Sequence, residues 1–300
     1  MIGDDCAVVP QNAENDLVIT ADMLIEEVDF RLEWTTPEFL GHKSLAVSLS
    51  DIAAMGGNPK WAMLSIGVPE NIWSTDFLDR FYSGWHLLSR ETGVELIGGD
   101  VSRSPDRLVI DSIAGGAVPR GKAFLRSGAK PGDSVYVTGN LGAAAGGLRL
   151  LEAGEHPDTA ANEGTRELML SQLRPFPAVK VSALLRTLEI PSAMIDISDG
   201  LAADLNHICE QSGVGARIDC ELLPINPALI DRFGPGESLE FALGGGEDFE
   251  LLFTAERTKI ENADIPGITR IGEITANIGE IELFRNGNVN CPPPQGFSHF

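Results

Sequence analysis

The acids of this chain stand where acids that merely solvate a surface seldom stand. Asp5 follows Gly3-Asp4, Asp22 ends the apolar run Leu17-Val18-Ile19-Thr20-Ala21, and Asp51 lies among leucine, serine, alanine and isoleucine. Asp100 follows Gly98-Gly99, Asp196 and Asp199 flank Ile197-Ser198, and Glu247-Asp248 follow three glycines. A carboxylate removed from water is costly unless it is paired or bound to metal. Lysines and arginines near these positions are too few to pair them all. An oxygen-only donor set suits a hard cation, and Mg²⁺ takes a few carboxylates together with substrate phosphates. Any one of these acids also suits a helix cap or a turn. The metal reading belongs to the set.

Ser198-Asp199-Gly200 has two readings of equal standing. Ser198 caps a helix that starts at Leu201, or the helix N-terminus offers free N–H groups that attract phosphate. Asp196 adds a second acid at the same strand end. Two nucleotide-like patterns carry little weight. Gly116-Ala-Val-Pro-Arg-Gly121-Lys122 has P-loop spacing, but Ala123 stands where a metal-binding hydroxyl belongs. Gly139-Asn-Leu-Gly142-Ala-Ala-Ala-Gly146 departs from G-x-G-x-x-G, and close helix-on-sheet packing accounts for its glycines. His42, His86, His156, His207 and His299 fall outside the acid motifs, Cys6 has no evident base, and no Ser-His-Asp set appears.

Charge supports a cation-dependent chemistry. The 300 residues hold 22 Lys plus Arg against 44 Asp plus Glu, a net charge of −22. Such a surface repels nucleic acid and anionic membrane, so a phosphate substrate needs a cation between it and the protein. Hydrophobic residues at 43% and charged residues at 22% are those of a globular chain, and the length suits two domains. The four cysteines form no C-x-x-C pair, which argues against zinc and for a reducing compartment. The chain has neither an apolar run of 18 residues nor a basic-then-apolar leader, and the cytoplasm is the expected location.

Elements to position these residues follow from the spacing. Leu17–Thr20 reads as a strand, Pro37–Met55 as a helix with Leu45, Leu49 and Ile52 on one side, and Asp76–Thr92 as a second helix. Strands are predicted over Arg107–Val118, Ser134–Thr138, Ala193–Ile197 and Phe249–Thr254. Helices are predicted from about Gly142 and over Leu201–Ser212, and 155–165 reads as a loop. Arg126-Ser-Gly-Ala-Lys-Pro-Gly-Asp133 is strong punctuation, and it places a boundary near residue 125 between domains 1–125 and 126–300. The order departs from regular βαβ alternation, so mixed sheets in an α+β or α/β arrangement are expected.

Taken in order, the motifs resemble the thiamine-monophosphate kinase family, within the superfamily that includes aminoimidazole ribonucleotide synthetase. They are Ile2-Gly-Asp-Asp-Cys-Ala-Val-Val9, Thr20-Ala-Asp-Met-Leu24, Lys43 to Gly56, Leu96-Ile-Gly-Gly-Asp100, Arg126 to Asp133, Ile195-Asp-Ile-Ser-Asp-Gly-Leu201 and Gly244-Gly-Gly-Glu-Asp-Phe-Glu-Leu251. The resemblance implies transfer of the γ-phosphoryl of ATP to thiamine monophosphate, with several Mg²⁺ ions. It implies metal contacts at Asp5, Thr20, Asp22, Asp51, Asp100, Asp196 and Asp199. ATP contacts follow at Gly99, Asp100, Arg126 and Ser198, and thiamine contacts at Glu247 and Phe297. It also implies a homodimer in which N-terminal strands build a barrel across the two chains.

Three positions differ from that pattern. Only Met1 and Ile2 precede the Gly-Asp-Asp motif, Ala21 stands where many members carry a hydroxyl, and Asp29 stands where histidine is common. An acid at 29 repels a substrate phosphate and is left out of the site. The rivals are another ATP-using member of the superfamily, such as a hydrogenase-maturation or selenophosphate-forming enzyme, and a non-catalytic nucleotide-binding protein. The chain ends Ser298-His299-Phe300, without the cysteine tail of the first.

Overall fold

The computed structural model describes residues 3–263, 265–285 and 288–290. A first sheet holds β1 (Ala7–Pro10), β2 (Asn15–Ile25), β3 (Asn58–Val68), β4 (Glu95–Arg103) and β5 (Val109–Pro119), in the order β1-β2-β5-β3-β4. Its neighbours are antiparallel except β3 and β4. Helix α1 (Pro37–Ala54) packs on β2, β3 and β5, and α3 (Phe77–Thr92) packs on α1 after the single turn α2 (Glu70–Trp73).

Helix α1 is the central element. Thr36 Oγ1 accepts the N–H of Phe39, Pro37 opens the helix, and Glu38 sits in the first turn, all favourable at an N-terminus. Leu40 through Ser50 are buried without a break, because α1 has the first sheet on one side and elements of the second half on the other. A helix so enclosed has no watered face for its polar residues, and Ser48 and Ser50 turn to acids of neighbouring strands instead. Helices α1 and α3 touch through glycine: a Cβ on Gly41 would lie 1.9 Å from the carbonyl oxygen of Phe81, and one on Gly84 1.9 Å from that of Glu38.

The second half holds β6 (Ser134–Thr138), α4 (Ala143–Glu152), α5 (Glu163–Leu173), α6 (Val179–Thr187), β7 (Ala193–Asp196), α7 (Leu201–Ser212), β8 (Gly215–Asp219) and α8 (Pro227–Gly244). It ends with β9 (Leu251–Ala255), α9 (Arg257–Ala263), β10 (Ile268–Thr275), β11 (Ile281–Arg285) and β12 (Asn288–Asn290). Seven strands form one sheet, β12-β11-β8-β10-β6-β9-β7, antiparallel except where β11 meets β8. Val135, Ile195, Leu205, Ile208, Leu252 and Ile271 lie in its core. Among the described residues no helix is long and apolar enough to cross a membrane.

Several expectations change. Strand β2 runs past Asp22 to Ile25, paired with β5 along its whole length, so Asp22 is inside a strand rather than at its end. Gly98-Gly99-Asp100 is no turn: parallel pairing with β3 draws it into β4. Phe249 has φ +51°, which no strand residue adopts, and the strand starts at Leu251. Residues 155–165 hold a 3₁₀ turn at Pro157–Thr159 and the start of α5. The P-loop-like Gly116 to Pro119 is the end of β5.

Candidate active site

Four segments distant in sequence bring acids together around α1. Asp5, Asp51 and Asp196 each present a carboxylate oxygen within 4.8 Å of the others'. Each is also held from a neighbouring element. Ser50 Oγ donates to Asp196 Oδ2 at 2.6 Å, the Thr20 hydroxyl donates to Asp51, and Arg126 Nη2 donates to Asp5 Oδ1 at 2.7 Å. One turn earlier on α1, Ser48 Oγ donates to Asp22 Oδ2 at 2.7 Å. The S-x-S-D run of residues 48–51 therefore anchors β2 and β7 through their acids as well as supplying one acid itself.

The cluster is short of positive charge. Burial pushes Asp5 up to about 6 even against the pull of Arg126. Burial first, then Asp22, Asp196 and Asp5, raise Asp51 well above the ordinary carboxylate range. Asp196 is raised likewise, by burial and then Asp5, with the Ser50 hydroxyl opposing. Asp22 is raised by burial and lowered by Ser48. Asp5 Oδ2 is buried with no hydrogen-bond partner. An orphaned carboxylate oxygen among mutually repelling hard donors fits a divalent cation of the Mg²⁺ type. Cys6, buried beside these acids, is pushed up by that burial and stays a thiol.

Asp199 and Ser198 sit on the turn from β7 into α7, half-buried. The N–H groups of Ser198, Asp199 and Gly200 all donate to Asp204 Oδ2, at 3.2, 3.2 and 3.0 Å. Asp204 thus takes the N–H groups of the turn ahead of α7; those of Leu201, Ala202 and Ala203, the first of the helix proper, are not among them. Burial, then Asp199, pushes Asp204 up to about 8 against the N–H bonds. Asp199, Asp204 and His207 also bring ligand atoms within 4.8 Å of one another.

Glu247 reaches the site through an irregular segment. It and Phe249 have φ +65° and +51°, a left-handed conformation that costs on the order of 1–3 kcal/mol outside glycine. Three sets of bonds hold it there. Glu247 N–H donates to Ser198 O at 2.8 Å, Phe249 N–H to Ile197 O at 2.9 Å, and Asp248 accepts the N–H groups of Gly142 and Ala144. The Glu247 carboxylate pairs with Lys43 of α1 at 2.8 Å and accepts from Gln172.

Asp100 stands apart. It lies opposite Ser65 of β3, which lies opposite Asp111 of β5, whereas Asp22 pairs with Ser112. Side chains alternate along strands, so Asp100 is exposed on the sheet face away from α1, and Gly99 lies beside it in β4. Asp29 closes a turn by accepting the N–H of Ile25 at 2.8 Å. Phe297 lies outside the described residues. Sequence reasoning missed Lys43, Ser48, Ser50, Gln172 and Asp204. Only Ser48 and Ser50 carried a signal, as hydroxyls close to Asp51 in the otherwise apolar stretch from Leu45 to Ala54.

The fold and acid cluster define a two-domain protein of the AIR synthase related class. The family descriptions "AIR synthase related protein, N-terminal domain" and "C-terminal domain" match residues 3–118 and 130–281. The chain is 38% identical to the thiamine-monophosphate kinase of Escherichia coli K12 and 39% identical to that of Bacillus subtilis 168. All of this chain is aligned in both cases, with 91% and 93% of those proteins. The thiamine-monophosphate kinase structure from Stenotrophomonas maltophilia K279a superposes with TM-score 0.84 at 39% identity, over 97% of this chain and 91% of that one. A structure of AaThiL complexed with AMPPCP and TMP gives TM-score 0.88 at 34% identity, over 100% and 92%. Hydrogenase maturation protein HypE, at 18% identity and TM-score 0.71, shares the fold. The chain belongs to the thiamine-monophosphate kinase family.

Proposed function

We propose that this protein transfers the γ-phosphoryl group of ATP to the phosphate oxygen of thiamine monophosphate, releasing ADP and thiamine diphosphate. The observation that carries this is the meeting of Asp5, Asp51 and Asp196 from separate segments, with one buried carboxylate oxygen unpartnered. Asp5, Thr20, Asp22, Asp51, Asp196 and Asp199 would hold Mg²⁺, whereas Asp100, on the opposite sheet face, is assigned to the metal by the family resemblance alone. Mg²⁺ so bound offsets the mutual repulsion of two polyanionic substrates.

The protein's own residues position and shield. Arg126, its guanidinium on Asp5, and Ser198 would contact ATP; Gly99 and Asp100, in β4, are assigned to ATP by the family resemblance alone. Glu247, fixed by Lys43, would contact the thiamine moiety, the role the family resemblance also gives Phe297. A phosphate acceptor with a second pKa near about 6 is already largely ionised at neutral pH. It needs no general base, so none of the histidines is assigned to one.

The face of the first sheet away from α1 carries the exposed Met23 and Met63, and we place a homodimer contact there, with the strands of two chains closing a barrel. The domains divide near residue 125, and the buried free thiols Cys6, Cys209 and Cys220 accord with the cytoplasm. Incubation with ATP, Mg²⁺ and thiamine monophosphate, with free thiamine as control, tests the reaction by chromatography. Thiamine diphosphate from the monophosphate alone is the expected result, and no product from folded protein overturns it. Light scattering at twice the chain mass is expected for the dimer.

A further inference from the structure

The turn that carries Ser198 and Asp199 has no ordinary cap. Helix α7 starts after Gly200, at φ +116° and ψ +148°, and glycine has no side chain to accept the helix's free N–H groups. A carboxylate from one turn inside the helix caps the preceding turn instead. Asp204, 1% exposed, directs a single oxygen, Oδ2, at three consecutive N–H groups, those of Ser198, Asp199 and Gly200. The opposite side of the turn is closed by backbone. A Cβ on Gly246 would lie 2.5 Å from Ser198 O, one on Gly200 2.9 Å from the carbonyl carbon of Gly244, and Glu247 N–H donates to Ser198 O. The turn is thus clamped between the Gly244–Gly246 backbone and one carboxylate.

We infer that Asp204 is a positioning residue for phosphoryl transfer: it holds the turn that presents Ser198 and Asp199. The inference rests on the proposed kinase reading for its kinetic consequences, but the structural part stands independently. An anion held by backbone needs free N–H donors, and those of the turn at Ser198, Asp199 and Gly200 are occupied by Asp204, so the turn offers a ligand its side chains. Asparagine at 204 keeps an acceptor oxygen at the same reach, whereas alanine leaves three N–H groups without one.

The test compares Asp204→Ala, Asp204→Asn and the neighbouring core variant Leu205→Ala in the full chain. Amide hydrogen exchange is read at residues 198–200, Mg²⁺–ATP affinity by calorimetry, and kcat and KM by product formation. Asp204→Ala is expected to speed exchange at those three amides beyond the rest of α7, and to weaken Mg²⁺–ATP binding about 10–100-fold, the usual effect of losing a partner that orients a ligand. It should lower kcat with the thiamine monophosphate KM within about twofold. Asp204→Asn should recover most of each loss, and Leu205→Ala should lower the thermal midpoint without this pattern. Unchanged exchange at 198–200 in Asp204→Ala, unchanged Mg²⁺–ATP affinity, or the same pattern in Leu205→Ala overturns the inference. Absence of thiamine diphosphate with the unaltered protein overturns the kinase reading alone, since exchange and Mg²⁺–ATP affinity still report on Asp204.

Discussion

The N–H of Glu247 donates to the carbonyl oxygen of Ser198 at 2.8 Å, so a residue assigned to the acceptor and a residue assigned to ATP share one backbone hydrogen bond. The left-handed φ of Glu247 is what turns its N–H toward Ser198 while its carboxylate meets Lys43 on α1. Both ends of the transfer are thereby tied to the same helix. Ser50 and Asp51 reach the acid cluster, and Lys43, two turns earlier, reaches Glu247.

Asp196→Asn separates catalysis from stability. It keeps an acceptor for Ser50 Oγ but removes one of the mutually repelling buried charges. Turnover is expected to fall by about 100-fold or more through loss of metal affinity. The thermal midpoint in EDTA is expected to rise by about 2–4 °C, the shift that roughly 1 kcal/mol gives a chain of this size. A lower midpoint in EDTA would mean that the carboxylate stabilises the metal-free fold.

Stability of the metal-free protein should fall as pH rises. Asp5 and Asp248 are raised by burial to about 6 and about 7, against about 3.9 unfolded. A raised carboxyl keeps its proton longer when folded, so between about pH 4 and 7 the unfolded chain binds fewer protons and unfolding is favoured by each pH step. The midpoint in EDTA should therefore be higher at pH 5 than at pH 8. Added Mg²⁺ should reverse the trend, stabilising more at pH 8, where the carboxylates that bind it are ionised. A midpoint in EDTA that climbs with pH contradicts this.

Glu247→Gln should act on one substrate. The ATP side keeps its Arg126–Asp5 pair, so the ATP KM should stay within about twofold, while the thiamine monophosphate KM rises about tenfold or more. The Lys43 ammonium, 5% exposed, also loses its counter-charge, and stability should fall by about 1–3 kcal/mol. Steady-state kinetics with each substrate varied, together with urea unfolding, read both effects. Equal changes in both KM values would remove Glu247 from the acceptor side.

Gly41→Ala tests the helix contact that sets the position of α1. The added Cβ would sit 1.9 Å from Phe81 O, a backbone atom that cannot rotate away. Forcing α1 from α3 should cost about 1–3 kcal/mol or more and displace the acids it carries. Urea unfolding should show the loss, and Gly93→Ala offers a contrast. A Cβ at Gly93 meets nothing within 4 Å, but φ +71° is unfavourable there, so only the backbone penalty of about 1 kcal/mol remains.

What the sequence determined by itself is local and chemical. The helices at 37–54, 77–92 and 201–212 and the strand at 134–138 followed from spacing, caps and glycine stops. Small residues around the acids at 5, 51, 196 and 199 pointed to a hard cation, and the ordered motifs pointed to the family. Only the tertiary structure decided which acids meet. Asp100 also stands in a motif of small residues and shares the family pattern, but strand alternation turns it to the far face of the sheet. Lys43, Gln172 and Asp204 have no signature at all. Lys43 reads as one more helix residue until the Gly244–Gly246 segment brings Glu247 to it, and Asp204 reads as an ordinary first-turn acid until its oxygen is seen to accept three N–H groups. Residue type and short-range spacing encode propensity and donor chemistry, but a bond across 204 residues of chain, such as that of Lys43 with Glu247, depends on how the elements pack.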